Sequence, residues 1–309
     1  MESRMGHSVV STSTDHFVTN EHVESYRRDG FVVIEDVLSD REVDRLRQVT
    51  DALVNASRDI TDHDEVYDLE PNHSPIDPRV RRIKQPHKLD PAFSALVNHP
   101  KIIQVLQKLM HPHIRFDVSK LNLKSAGYGA AVEWHQDWAF YPHTNDDLAA
   151  VGVMMDDMLL ENGPLLCIPR SHRGSIFNHH DDSGYFCGAI DPSRNEIDFD
   201  SAEACIGRAG SISIHHVRTV HGSAVNSSTR PRRLLLLQYR AADAWPLIAK
   251  SQSDLETWKS LLVTGDVDPI QPRCERVPIR LPLPAAQHQG SIYENQRTLK
   301  RPYFSTGSV

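Results

Sequence analysis

Hydrophobic positions along this chain change their period near Ile114. Before that point they recur at the spacing of a helix face. Val43, Leu46, Val49, Leu53 and Val54 form one such stripe, and a helix that shows one apolar stripe packs that stripe against another layer. Ser39 and Glu42 open it with the capping-box pattern, in which each side chain satisfies a free amide at the helix start. Thr19 to Arg28 reads as a shorter helix closed by Gly30, and the run Phe31 to Ile34 follows as a strand. From Pro100, the positions Ile102, Ile103, Val105, Leu106 and Leu109 mark a further helix. His111 and His113 come after it, flanking Pro112, and read as a turn. Between Asp59 and Pro91 the chain is charged and broken by prolines, with one strand expected near Val80 to Ile83. Irregular stretches of this length are often lids or surface excursions.

Beyond Ile114 the pattern alternates, as it does in half-buried strands. Strands are expected over 114–124, 132–140, 149–155, 165–168, 211–215, 220–224 and 233–240, with Gly and Pro at the joins. Helices first and many strands afterwards imply a mainly β core with helices packed on one side. Two facing sheets closed as a jelly roll would leave no long exposed edge. The expected organisation is a loose arm over 1–17 and a single domain over 18–309. In that domain the core strands occupy about 114–240 and a C-terminal extension occupies 241–309. The extension holds a helical pattern at Leu255, Trp258, Leu261 and Leu262 and an apolar, proline-bearing stretch from Val277 to Pro284 that should pack in extended form. It would either cover the mouth of the barrel or join two copies into a homo-oligomer.

Composition narrows the function classes. The 309 residues carry 34 Lys plus Arg against 41 Asp plus Glu, a formal charge of −7 with no block of one sign. That balance points away from nucleic acid and anionic membranes as partners. No apolar run is long enough to cross a bilayer, and the N-terminus lacks a signal-peptide core, so a cytoplasmic protein is expected. Four cysteines, Cys167, Cys187, Cys205 and Cys274, lie at irregular spacing and form no metal or redox motif.

The candidate chemistry sits in the aromatic stretch 132–141. In a strand, side chains two residues apart emerge on one face, so His135 and Asp137 can grip one ion together. His221, in Thr-Val-His-Gly-Ser, is the candidate third ligand. Two histidines and a carboxylate on one side of a metal form the facial triad of non-haem Fe(II) oxygenases, with positions left open for oxygen and a co-substrate. The same His-x-Asp spacing occurs at His179 with Asp181 and at His180 with Asp182. There it lies in a polar, Gly-bearing stretch that reads as a loop.

Trp134-His135-Gln136-Asp137, Asn162-Gly163-Pro164-Leu165, Ile168-Pro169 with Ser171-His172, and His221-Gly222-Ser223 with Asn226 and Arg232 resemble, in order, the signatures of the phytanoyl-CoA dioxygenase family. The resemblance runs from Asp29 to about Tyr239. It implies a double-stranded β-helix, a cupin-like jelly-roll variant, that uses Fe(II), 2-oxoglutarate and O2. It further implies that His135, Asp137 and His221 ligate iron and that Arg232 pairs with the far carboxylate of 2-oxoglutarate, to which a guanidinium fork is matched. Ser223 matches a position that holds the same carboxylate, and Asn122 matches one that reaches the co-substrate. Lys120 shares the strand face of Asn122 and is a further candidate, with Lys124 next on that face; a lysine head in water is the alternative. Alternation turns Arg233 away from Arg232, and Arg230 precedes a turn, so both should be solvated. In the family, oxidative decarboxylation of 2-oxoglutarate yields succinate and CO2 and drives hydroxylation of an unactivated carbon of a small molecule. Desaturation, epoxidation and cyclisation use the same ligands. Halogenation is disfavoured, because related halogenases lack the carboxylate that Asp137 supplies here.

Trp138, Phe140, Tyr141 and His143 follow the metal motif and are candidates to line a substrate pocket, with packing as the alternative for the aromatic residues. Arg170, His172 and Arg173 form a basic cluster, in which Arg170 departs from the family pattern; the cluster could meet an anionic substrate group or simply sit in water. The C-terminus lacks a peroxisomal Ser-Lys-Leu ending. A non-catalytic jelly-roll binding protein and a three-ligand zinc hydrolase are the rival classes. Neither needs both the triad and Arg232.

Overall fold

A computed structural model describes residues 17–127, 129–248, 255–265, 271–287 and 290–304; most of the expected N-terminal arm lies outside them. The helices are α1 (Asn20–Asp29), α2 (Asp40–Ala56), α3 (Pro91–Val97), α4 (Pro100–Leu109), α5 (Leu255–Ser260) and α6 (Ile292–Asn295). The strands are β1 (Phe31–Ile34), β2 (Tyr67–Leu69), β3 (Val80–Lys84), β4 (Ile114–Lys124), β5 (Val132–His135), β6 (Leu148–Met154), β7 (Leu166–Cys167), β8 (Glu203–Ala204), β9 (Ile212–His216), β10 (His221–Ser223), β11 (Arg232–Ala241) and β12 (Leu262–Thr264).

Two antiparallel sheets are built from these strands. The larger runs in the order β1-β9-β6-β11-β4-β3-β2, with β12 also paired to β4; the smaller runs β5-β10-β7-β8. This is the jelly-roll core expected from the pattern. Along β11 the two-residue period divides the side chains between two environments. Leu235, Leu237 and Tyr239 enter the core shared with the helices, while Arg232, Leu234, Leu236 and Gln238 face a cavity on the opposite side. The division repeats on β4, where Leu121 and Leu123 join the core and Lys120 and Asn122 line the cavity. It repeats again on β9, where Ile212 and Ile214 are core and His215 is cavity. One sheet therefore carries an apolar face under the helices and a polar face over the site.

The helices cover the apolar face. Val43, Leu46 and Val49 of α2 and Ile102, Val105, Leu106 and Leu109 of α4 are all buried in that core, each large aliphatic side chain contributing about 1.5–3 kcal/mol by leaving water. α1 and α2 both begin in complete capping boxes, on Thr19 and on Ser39 with Glu42. Gly30 closes α1 at φ +88, a conformation that glycine adopts without strain.

Several expectations are corrected. The strand expected over 132–140 ends at His135, and Asp137–Ala139 form a tight 3-10 turn. Trp138 is the cause: its backbone N–H donates to Val217 O (2.9 Å), and its ring leaves the strand line to pack with Leu148, Val217, Ala241 and Ala244. The helical pattern at 255–262 yields one short helix and then β12, whose Leu262 pairs with Arg115 on the sheet edge. The stretch 277–284 packs only at its start, where Val277 meets the Trp138 cluster; Ile279, Leu281 and Leu283 are exposed. The segment 59–91 supplies the edge strand β2 and its neighbour β3, which pairs β2 on one side and β4 on the other, and it ends on the first residue of α3.

Candidate functional site

His135 ends β5 and His221 begins β10, and the two are direct register partners in the smaller sheet. Their ring centroids lie 4.1 Å apart. Gln136 keeps an extended backbone (φ −118, ψ 128), so Asp137, though in the turn, still emerges on the side of His135. Asp137 Oδ1 is 4.0 Å from His135 Nε2. One ligand atom from each of His135, Asp137 and His221 lies within 4.8 Å of the others, and all three residues are buried. No other such group occurs among the described residues. His179 is buried but accepts a hydrogen bond from Gln136 N (2.9 Å), which explains its burial without a metal.

Each histidine is oriented by a carbonyl two residues earlier: Nδ1 of His135 lies 2.8 Å from Glu133 O, and Nδ1 of His221 lies 2.8 Å from Thr219 O. A carbonyl can only accept, so Nδ1 carries the proton and Nε2 keeps its lone pair for a metal. Burial pushes the His135 pKa down to about 4 and that of His221 well below its usual value, with the neighbouring histidines adding to the effect on His221. Both rings are neutral at neutral pH. Burial opposes ionisation of Asp137, but His215, His221 and Lys120 outweigh it and hold its pKa well below the usual range. Two neutral imidazoles and a carboxylate on one side of a cavity fit an Fe(II) ion with open positions.

The far end of the cavity is built on β11 and β4. Arg232 is buried, and its Nη2 donates to Gly163 O at 2.7 Å, while Nε and Nη1 have no partner among the described residues. Burial lowers its pKa to about 10, so it remains charged. Lys124, its register partner, is fully buried and donates to the Ala224 and Ser223 carbonyls; its head is not in water, and burial beside Arg232 drives its pKa well down. Ser223, Asn122 and Lys120 all line the same cavity. Arg233 points the other way and is ion-paired with Asp156 and Asp51 at 2.8 Å each rather than simply solvated. Arg230 is exposed.

The cavity has a volume of about 240 Å³. Its polar lining also includes Arg82, His215, Gln238 and Tyr293, none of which stood out in the sequence. His215 and Gln238 were legible from alternation, since each shares the inner face of a strand already identified. Arg82 comes from the irregular region, where Nε donates to Asn122 Oδ1 (3.2 Å). Tyr293 comes from the C-terminal segment, which had no periodic signal. Of the aromatic candidates, Trp138 is buried in its own cluster and donates from Nε1 to Pro278 O (2.9 Å), away from the cavity. Phe140, the neighbouring aromatic candidate, does line the cavity. Tyr141 lies behind, with its hydroxyl accepting from Gln238 and its ring 5.8 Å from Lys120 Nζ. His143 is buried, held by Tyr141 O and near Asp117. Arg170 is exposed beside Asp29. Neither of the last two lines the cavity.

No described helix is long and apolar enough to cross a membrane. The model of the phytanoyl-CoA dioxygenase family matches residues 26–234. A probable alpha-ketoglutarate-dependent hypophosphite dioxygenase of Stutzerimonas stutzeri is 36% identical over 92% of this chain and 99% of its own length. An ectoine dioxygenase of Bordetella parapertussis is 28% identical over 72% of this chain and 75% of its own. Among solved structures, EctD from S. alaskensis with bound Fe superposes with a TM-score of 0.63 at 21% identity, covering 88% of this chain and 91% of that one, which shows a shared fold. The chain belongs to the phytanoyl-CoA dioxygenase family and is an Fe(II)- and 2-oxoglutarate-dependent dioxygenase.

Proposed function

We propose that the enzyme hydroxylates a small, polar substrate held between Arg82, Gln238 and His215, with His135, Asp137 and His221 as the iron ligands. Arg232 and Ser223 hold the far carboxylate of 2-oxoglutarate, and Asn122 and Lys120 reach the rest of it. The observation that carries this reading is that one cavity is lined both by the three residues whose ligand atoms converge and by Arg232, whose Nε and Nη1 have no partner among the described residues. Bound iron with 2-oxoglutarate and O2 supplies the oxidising power: one oxygen atom enters the substrate, and the other leaves in succinate as CO2 is released. The chain's own work is to neutralise and orient two ligands in a buried space, and to keep the imidazoles deprotonated at Nε2 for binding.

Cavity size bears on the substrate. Small-molecule sites usually offer about 300–1,000 Å³, and this one, at about 240 Å³, must also contain 2-oxoglutarate. A long acyl chain or a CoA ester does not fit inside it. The cationic and amide lining favours an anion or a compact zwitterion. Hypophosphite, named for the relative from Stutzerimonas stutzeri, is one such anion, and there the hydroxyl would go to phosphorus rather than carbon. We further read residues 18–309 as one oxygenase domain acting in the cytoplasm. Residues 290–304 then cover the cavity, which favours the covering role of the C-terminal extension over self-association.

The test is substrate-dependent succinate release by the Fe(II)-loaded enzyme with hypophosphite, small carboxylates and amino acids, and a long-chain acyl-CoA. Stimulation by a small polar compound and none by the acyl-CoA supports the reading. Stimulation by the acyl-CoA alone overturns it.

A further inference from the structure

The segment 290–304 lies outside the part of the chain matched by the family model, yet it supplies part of the cavity wall. It is tied down along its length. Arg81 pairs with Glu294, and Glu133 N donates to Gln296 Oε1 at 2.9 Å. Gln296 Nε2 in turn donates to Gly188 O at 2.9 Å. Farther on, the backbone amides of Tyr303 and Phe304 donate to Glu133 Oε2 at 2.7 and 3.3 Å, and the Phe304 ring lies 5.2 Å from that of Trp134. Glu133 and Trp134 immediately precede His135, so the segment is anchored on the strand that carries the metal-binding histidine.

Within this segment Tyr293 is 6% exposed. The guanidinium carbons of Arg81 and Arg82 sit 4.9 and 5.2 Å from its ring centroid, which fixes the ring by cation–π contact. Its hydroxyl is buried and has no hydrogen-bond partner among the described residues. A buried unsatisfied hydroxyl costs free energy unless a ligand completes it. Arg232 carries the same signature in the same cavity, with Nε and Nη1 both unpaired. Burial raises the Tyr293 pKa, despite the nearby arginines, so the hydroxyl keeps its proton and can donate.

We propose that Tyr293 is a co-substrate-binding residue whose hydroxyl donates to the far carboxylate of 2-oxoglutarate beside Arg232, making the C-terminal segment part of the co-substrate site. Arg232 supplies charge and a planar fork; Tyr293 supplies a neutral donor from the covering segment. The proposal rests on the assignment of Arg232 to that carboxylate.

The test uses the full-length protein, loaded anaerobically with Fe(II), and follows the visible charge-transfer band as 2-oxoglutarate is added. Tyr293→Phe keeps the ring and its cation–π contacts and removes only the donor. Its apparent Kd for 2-oxoglutarate should rise about tenfold or more, the usual effect of losing one hydrogen bond to a charged group. Binding of 2-oxopentanoate, which has no far carboxylate, should be the same in both proteins. Wild-type affinity for 2-oxoglutarate in the variant, or an equal loss for both oxoacids, overturns the role of Tyr293. Absence of any band in the wild-type protein would instead count against the co-substrate site as a whole.

Discussion

His135 and His221 face each other as register partners across β5 and β10, with ring centroids 4.1 Å apart and each Nδ1 tied to a carbonyl two residues earlier. Strand pairing therefore sets the spacing of the two imidazoles, and the backbone sets their tautomers. A one-residue slip in either strand would turn its histidine to the opposite face.

Asp137 completes this group from the turn after β5. Asp137→Ala should abolish substrate-dependent succinate release while leaving the far-ultraviolet circular dichroism spectrum unchanged. Turnover at the wild-type rate in that variant would remove Asp137 from the metal site.

Arg232 donates to Gly163 O and leaves Nε and Nη1 for a ligand. Arg232→Lys keeps a positive charge but loses the fork, so the KM for 2-oxoglutarate should rise by about a hundredfold, the order expected for two charge-assisted hydrogen bonds. Steady-state kinetics over a range of 2-oxoglutarate concentrations reads this directly. An unchanged KM would assign the carboxylate to another cation.

Gly163 holds φ +70, and a Cβ there would meet Ala224 O at 2.5 Å. Gly163→Ala should lower the Tm by several degrees, as expected for about 1–3 kcal/mol of backbone strain. It should also raise the KM for 2-oxoglutarate, since the carbonyl that anchors Arg232 would shift. Thermal unfolding together with kinetics separates the two effects; a variant unchanged in both would show that the turn tolerates a side chain.

His179 is buried, and burial pushes its pKa down to about 3 from the ordinary 6.5. The folded protein then binds fewer protons than the unfolded chain between these values. The contribution to stability is complete above about pH 6.5 and is lost as pH falls towards 3. Urea unfolding should show stability falling from pH 7 to pH 4.5, and His179→Gln should reduce that slope because the proton-binding group is gone. An identical pH slope in the variant would place the acid sensitivity elsewhere.

Much of this was legible in the sequence because the strands obey a strict two-residue period. Lys120, Asn122, Arg232 and Ser223 reach one cavity, and Arg233 turns away, as alternation required. What was not legible depended on contacts distant in sequence. Trp138 looked like a strand residue lining a pocket, but a backbone bond to Val217 and a ready apolar niche drew it into a turn. Tyr293 sits in a stretch without hydrophobic period, and only its docking on Glu133 and Arg81 brings it to the site. Arg82 belongs to a five-residue strand in a stretch without clear period, too short to announce its facing, and its register opposite Asn122 places it.

The central claim is that His135, Asp137 and His221 hold Fe(II) with 2-oxoglutarate bound beside it. Anaerobic addition of Fe(II) and then 2-oxoglutarate to the apoprotein tests this most directly. The account predicts a visible charge-transfer band that appears only when both are present and disappears in His135→Ala. A folded, metal-loaded protein that shows no such band, or a band that survives in His135→Ala, would contradict it.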